Sequence, residues 1–472
     1  MALDLDLATM RRLGYQVTDL VAEHLASLRD QPAFATRSRE EAMRPLDLAP
    51  PEDGTEFDAI LGELQRDVFP FAAREPHPGF VAYVPSCPTF PAVLGDWIAT
   101  GYNFFAGVWP VAAGPNALEL VVLEWFRRWL GMPEGAGGLL TSGGSQATLT
   151  ALIAARHRIV EEEPARIARL TVYVSDQAHS SVIRAAWMAG LSRAHVRLIP
   201  SDAGFRMDSR ELARVIAADR AAGLTPMAVV ASAATTNTGA VDPLAAIADV
   251  CAREEVWLHI DAAYGGFAIL TDYGRRAFAG IERADSVTLD PHKWLFVPFE
   301  CGGLLAREPA RLRDAFHIMP EYLQDVAGHE QINFADYGEQ LTRYSRALKV
   351  WLSVRYFGVA AIRQAIERGM AVARHFESLA RSRANVEVMS PAQFGVVCFR
   401  VHPPGVSDPR ELDRLNESVL ARVVQRGRYF ISSTRLRDVY ALRICVLGYR
   451  TNEADMSGVL EEVDAALAQV SP

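Results

Sequence analysis

The chain has 472 residues, half of them hydrophobic and 22% charged, which excludes a disordered or fibrous protein and fits two or three folded domains. Acidic residues outnumber basic ones by 57 to 48, a net charge of −9, so there is no basic surplus to hold nucleic-acid phosphates. The five cysteines, at 87, 251, 301, 398 and 445, lie far apart with no CxxC pair, a pattern of reduced cytoplasmic thiols rather than a disulfide frame.

The chain opens with MALDLDLATMRRLGYQ, which has no apolar signal core. Leu7 to Leu28 carries helical apolar spacing, Pro45, Pro50 and Pro51 interrupt it, and Ile60 to Val68 resumes it. A segment of this size cannot bury a core of its own and is expected to pack on another body. Trp97 to Leu118 is an uncharged run, but Gly101, Asn103, Gly107, Pro110, Gly114, Pro115 and Asn116 break any membrane-spanning helix. The run reads as a buried, irregular, aromatic-rich loop, and no membrane association is expected.

From Val121 the texture becomes strand, turn and helix. A helix over Val121 to Leu130 leads to a short strand, Gly138 to Thr141, then the turn Ser142-Gly143-Gly144-Ser145 and an apolar helix to about Val160. Short apolar runs follow at 170–174, 227–231, 256–260, 286–289 and 303–306, several of them separated by helical stretches. That alternation predicts an α/β domain with a largely parallel sheet and functional residues on loops at strand ends. Beyond residue 345 a long helix, strands near 394–399 and 440–446, a helix over 407–427 and a closing helix over 453–470 predict a smaller α+β domain.

Four features on these loops carry chemistry. In Ser286-Val287-Thr288-Leu289-Asp290-Pro291-His292-Lys293-Trp294, a lysine follows a strand directly; it is either a surface lysine or an amine that attacks carbonyls. In His259-Ile260-Asp261-Ala262-Ala263-Tyr264, Asp261 closes an apolar strand and needs a partner: a metal, an ion pair or a pyridinium nitrogen. Thr141-Ser142-Gly143-Gly144-Ser145-Gln146 precedes a helix and suits a phosphate. The same turn approximates a nucleophile elbow, so a serine hydrolase using Ser145 with His179 or His292 competes. The fourth feature, Ser175-Asp176-Gln177-Ala178-His179-Ser180-Ser181, places a histidine at a strand end. A phosphate turn, a histidine, a carboxylate and a lysine on successive α/β loops together suit pyridoxal 5′-phosphate, which needs a Schiff-base lysine and an acid at its ring nitrogen.

The chain resembles the aromatic-L-amino-acid decarboxylases, the group II pyridoxal-phosphate decarboxylases, nearly end to end. The likeness runs through His77-Pro78, Tyr83-Val84-Pro85-Ser86, the 176–181 and 257–264 stretches, Pro291-His292-Lys293-Trp294, Arg346-Ala347-Leu348-Lys349, 394–400 and Leu442-Arg443. The resemblance implies the aspartate-aminotransferase-like fold, fold type I. It divides the chain into an N-terminal helical dimerisation arm (1–82), a large cofactor-binding domain (83–345) and a small C-terminal domain (346–472), assembled as a cytoplasmic homodimer. It implies that Lys293 binds the cofactor aldehyde and Asp261 pairs with the ring nitrogen. His179 and Ala263 would flank the ring, Gly143, Gly144, Ser145, Asp290 and His292 would lie around the phosphate, and Thr236 would sit close to the cofactor.

Tyr322, on a long polar stretch from His317 to Gln340, matches the family's catalytic-loop tyrosine, a position often phenylalanine in aldehyde-forming relatives. Tyr322 with His179 implies that an aromatic L-amino acid is converted to its amine and carbon dioxide. The alternatives are oxidative deamination to an aldehyde, or lyase chemistry on a non-aromatic amino acid. Tyr83, Pro85 and Phe104 resemble aromatic pocket positions. Thr342 stands where relatives carry Gly or Ser to separate indole from phenol substrates, so tryptophan, tyrosine, DOPA and phenylalanine all stay open. Two departures stand out: Asp290 replaces an asparagine common in animal members, and Gly143 replaces a serine.

Overall fold

The computed structural model describes residues 3–160, 163–318 and 331–470. The chain divides into two compact units. One holds residues 1–85, 374–389 and 398–472; the other holds 86–373 and 390–397.

The larger unit is built on a seven-stranded sheet. Its strands are β1 (Gly137–Thr141), β2 (Leu170–Ser175), β3 (Val196–Ile199), β4 (Thr225–Ser232), β5 (Trp257–Ala262), β6 (Ser286–Leu289) and β7 (Gly302–Ala306), in the spatial order β1-β7-β6-β5-β4-β2-β3. The β2–β3, β2–β4, β4–β5 and β5–β6 pairs are parallel, and β7 runs antiparallel to both its neighbours. The core strands are buried along nearly their whole length, which explains why they read as continuous apolar runs rather than as alternation. Helices Gly144–Val160, Ser180–Met188, Ser209–Ala221 and Leu244–Glu254 connect them. The expected mostly parallel α/β sheet is therefore present. Edge strand β3 went unrecognised because its burial is intermediate and Arg197 breaks its apolar run.

The uncharged run from Trp97 is not the irregular buried loop that its glycines and prolines suggested. It ends helix Phe90–Tyr102 and begins helix Ala113–Leu130, leaving only the middle irregular. Asn103 in the left-handed region (φ 49°) stops the first helix, and Trp97, Ile98 and Tyr102 are exposed. The long helix Ala347–Arg381 is broken at Gly358 (φ 76°), a conformation that a side chain would strain.

Strands β8 (Val386–Gln393), β9 (Val396–Val401), β10 (Ser432–Leu436) and β11 (Val439–Cys445) form a four-stranded sheet in the order β10-β11-β9-β8. Most of this sheet, with helices Pro409–Arg426 and Glu453–Val470, falls in the smaller unit, while residues 390–397 are grouped with the larger one. The smaller unit also includes the N-terminal helices Leu7–Ala26, capped by Asp6, and Phe57–Asp67. Leu7, Met10, Tyr15 and Val17 of the first helix are exposed. Among the described residues, no helix is long and apolar enough to cross a membrane.

Candidate active site

The site lies in the larger unit, where parallel strands end. Strand β5 delivers Asp261, in register with Ser232 of β4 and Thr288 of β6. Strand β6 ends at Leu289, and the buried turn that follows carries Asp290, His292 and Lys293. Strand β2 ends at Ser175, and His179 then caps helix Ser180–Met188. Strand β1 ends at Thr141 and gives way to the glycine turn. All of these converge on one cavity of about 320 Å³, lined by Ser142, Gly143, Gly144, Ser145, Gln146, His179, Ser181, Thr236, Asp261, Ala263, Asp290, His292 and Lys293. The topology predicts this position, because open α/β sheets bind ligands beyond the carboxyl ends of their strands.

The glycine turn opens a helix with its first amides unpaired. Ala147 N–H bonds back to Gly143 C=O (3.0 Å), so the amides of Gly144, Ser145 and Gln146 precede the first intrahelical bond. Gly144 faces Ala263 so closely that a Cβ there would stand 2.9 Å from the alanine Cβ. At the other side a Cβ on Gly302 would lie 2.4 Å from Gly143 Cα. The close approaches leave no room for a side chain at Gly144 or Gly302, so backbone lines the cavity at Gly144. Ser142 N–H donates to the Gln146 side chain (2.6 Å), which fixes the turn, and Gln146 in turn donates to Glu339.

The two histidines are held in defined tautomers. His179 Nδ1 accepts from Ser181 N–H (3.3 Å) and lies 2.7 Å from Ser181 Oγ, so Nε2 carries the proton. His292 Nδ1 accepts from Cys301 N–H (3.3 Å), which again leaves the proton on Nε2, 3.6 Å from Asp290 Oδ2. Burial pushes both imidazoles below their ordinary pKa, although nearby carboxylates oppose it. Both rings are therefore neutral near pH 7. Burial pushes Asp261 upward, countered by Ala263 N–H (3.1 Å) and the positive charge of nearby Lys293. An acid in that state lacks a strong cationic partner.

The lysine turn is packed and paired on several sides. Trp294 stacks on Tyr264 at 5.2 Å, and Tyr264 Oη accepts from Gly395 N–H. The buried Lys349 ammonium pairs with Asp96 (3.1 Å) and donates to Pro298 and Phe299 C=O, and Arg346 pairs with Glu300.

Every expected cofactor residue lines the cavity. Of the expected substrate residues none does. Phe104 stacks on Tyr102 (5.4 Å), Thr342 is exposed, and Tyr83 (φ 50°, exposed) and Pro85 belong to the other unit. Tyr322 lies outside the described residues. Ser142, Gln146 and Ser181 line the cavity without having been singled out; the only signal for Ser181 is its place two residues beyond His179 at a helix start. No hydrogen bond joins Ser145 to either histidine among the described residues, and both Nδ1 atoms are engaged elsewhere, so the hydrolase arrangement is not formed.

The arrangement fits pyridoxal phosphate: free backbone amides at a helix start where Gly144 leaves no room for a Cβ, an amine at Lys293 and an acid, Asp261, at a strand end. Residues 40–402 match the pyridoxal-dependent decarboxylase conserved domain. The chain belongs to the pyridoxal-dependent decarboxylases. It is 38% identical to an aromatic-L-amino-acid decarboxylase of Bacillus atrophaeus, over 99% of this chain and 98% of that protein. It is 36% identical to a tyrosine decarboxylase of Oryza sativa subsp. japonica, over 96% and 89%. A crystal structure of Oryza sativa TDC with PLP and tryptamine superposes with a TM-score of 0.95 at 29% identity, covering all of both chains. The protein is thus a carboxy-lyase with pyridoxal phosphate as cofactor, and the family likeness read from the sequence holds, fold included.

Proposed function

We propose that this decarboxylase converts an aromatic L-amino acid to the corresponding amine and carbon dioxide. The observation that carries the reading is the convergence of Lys293, Asp261 and His179 with the glycine cradle on one cavity. The names of relatives matched over nearly their full length supply the aromatic class.

In this reading Lys293 would hold the cofactor through its aldehyde, and the amides of Gly144, Ser145 and Gln146 would hold its phosphate, with His292 and Thr236 beside them. His179 and Ala263 would contact the cofactor ring. When bound, the cofactor supplies an electron sink for the pair left behind as carbon dioxide departs. Asp261 keeps a proton on the ring nitrogen: its burial, which makes a lone carboxylate costly, makes a cationic N–H partner favourable. His179, neutral with Nε2–H, orients the substrate carboxylate without repelling or titrating it. Tyr322 returns a proton to the substrate carbon, directly or through His179. Tyr83, Pro85, Phe104 and Thr342 would bear on the choice of substrate, some of them from a second subunit. The homodimer reading is supported by the exposed apolar Leu3, Leu5, Leu7, Met10, Tyr15 and Val17 near the N-terminus. The five buried, free cysteines support a reducing compartment, the cytoplasm.

The test is a panel of tryptophan, tyrosine, DOPA and phenylalanine, with amine, carbon dioxide and hydrogen peroxide measured together. Amine equal to carbon dioxide, without peroxide, is expected for at least one of them. Aldehyde with peroxide, or no turnover of any aromatic substrate, would overturn the reading.

A further inference from the structure

The segment from Gly338 to Arg343 straddles the glycine turn. On the strand side it holds Leu140, two residues before Ser142 on β1. Arg343 Nη2 donates to Leu140 C=O (2.7 Å), and Glu119, paired with Arg343, accepts from Leu140 N–H (2.8 Å). β1 lies at the edge of its sheet, and these two side chains satisfy its outer side as a further strand would. Gly338 lies against the same strand, where a Cβ would come within 3.0 Å of Leu139 Cδ1. On the helix side the exposed Glu339 accepts from the Gln146 amide nitrogen and from Thr150 Oγ1 (3.4 Å). The Gln146 amide oxygen accepts from Ser142 N–H across the turn (2.6 Å). A backbone N–H only donates and a carboxylate only accepts, so with both partners in place the amide has one orientation. We propose that Glu339 is a positioning residue for the cofactor phosphate: by holding the Gln146 amide it fixes the turn whose free amides receive the anion.

This role runs against simple electrostatics. Glu339 brings an acidic side chain near a site for an anion, and charge alone would make its removal favourable to phosphate. The hydrogen bonds act the other way. Without Glu339 the Gln146 side chain regains rotamer freedom and Ser142 N–H loses a fixed acceptor. The turn is then ordered only when the anion arrives, and that cost appears as weaker binding. Glu339 stands outside the cavity that Gln146 lines, so it acts through Gln146. The bond is exposed, so its contribution is modest, about three- to tenfold in affinity. The sign of the effect separates the two influences.

The inference rests on the reading that the glycine turn holds the cofactor phosphate, and the experiment separates the two claims. Cofactor-free full-length protein is titrated by calorimetry with two probes. Pyridoxine 5′-phosphate has no aldehyde and forms no bond to Lys293; pyridoxine also lacks the phosphate. Wild-type protein that binds the phosphorylated probe no better than pyridoxine would overturn the functional reading. Against that wild-type preference, Glu339→Ala should raise the Kd of pyridoxine 5′-phosphate about three- to tenfold and leave that of pyridoxine unchanged. Glu339→Gln keeps an oxygen for the Gln146 amide and should stay within about twofold of the wild type. In a Gln146→Ala background, Glu339→Ala should have no further effect, because the bond it removes is already gone. An unchanged or tighter Kd in Glu339→Ala would overturn the proposal. So would an equal loss for pyridoxine, in Glu339→Gln, or in the Gln146→Ala background.

Discussion

Asp261 is the residue whose chemistry is most exposed to test. If its charge holds a proton on the cofactor nitrogen, Asp261→Asn should lower kcat about 100-fold or more while the cofactor still loads, because a preorganised charge in a site shielded from water contributes on that scale. Near-wild-type kcat in that variant would remove Asp261 from the chemistry. Tyr322→Phe should shift the product from amine toward aldehyde, ammonia and peroxide in the same assay, and an unchanged amine yield would end that assignment. Asp261 was legible in the sequence because it stands at the end of an apolar strand, where a polar side chain has few structural uses, whereas Tyr322 rests on the family resemblance alone. Gln146, Ser142 and Ser181 were not legible, since their roles are hydrogen bonds to a turn and to an imidazole that no spacing encodes.

Strand β5 carries a second buried ionisable group beneath Asp261. His259 lies wholly inside, its Nδ1 2.8 Å from Ser286 Oγ and its Nε2 3.1 Å from Thr288 Oγ1. Burial pushes its pKa down to about 3. The unfolded chain therefore takes up a proton near pH 6.5 that the folded chain refuses, so the stability contributed by neutral His259 is complete above that value. It is lost as pH falls toward 3, at up to about 1.4 kcal/mol per pH unit. Denaturant titrations at pH 7 and pH 5 should show this slope in the wild type and a shallower one in His259→Asn; parallel slopes would contradict it. The buried pair Glu119–Arg343 (2.7 Å) ties helix Ala113–Leu130 to the backbone of β1 through Leu140. Removing one partner strands the other charge, so Glu119→Ala should cost about 3–5 kcal/mol in the same titration. Long helices and central strands were readable as elements because period and apolar length agree. Strands β3, β8 and β10 were not: their burial is partial and their sequences mixed, so pairing with neighbours decides their state more than local pattern does.

Across the whole molecule, one large, mostly parallel sheet and one small sheet could be anticipated from the order of apolar runs. The grouping of residues 1–85 with 374–389 and 398–472 could not, because contacts between segments hundreds of residues apart leave no local signature. Arg29 pairing with Asp455 at 3.0 Å is one such contact. The exposed apolar residues of the N-terminal segment lead to a solution prediction: light scattering of the purified protein should give twice the chain mass, and a monomeric active species would contradict the dimer.

The account as a whole depends on one covalent bond. Borohydride reduction of the cofactor-loaded protein, followed by digestion and mass spectrometry, should place the reduced pyridoxyl group on the peptide containing Lys293, with the visible band lost in step. A loaded enzyme whose adduct lies on another lysine, or which carries none, would contradict it.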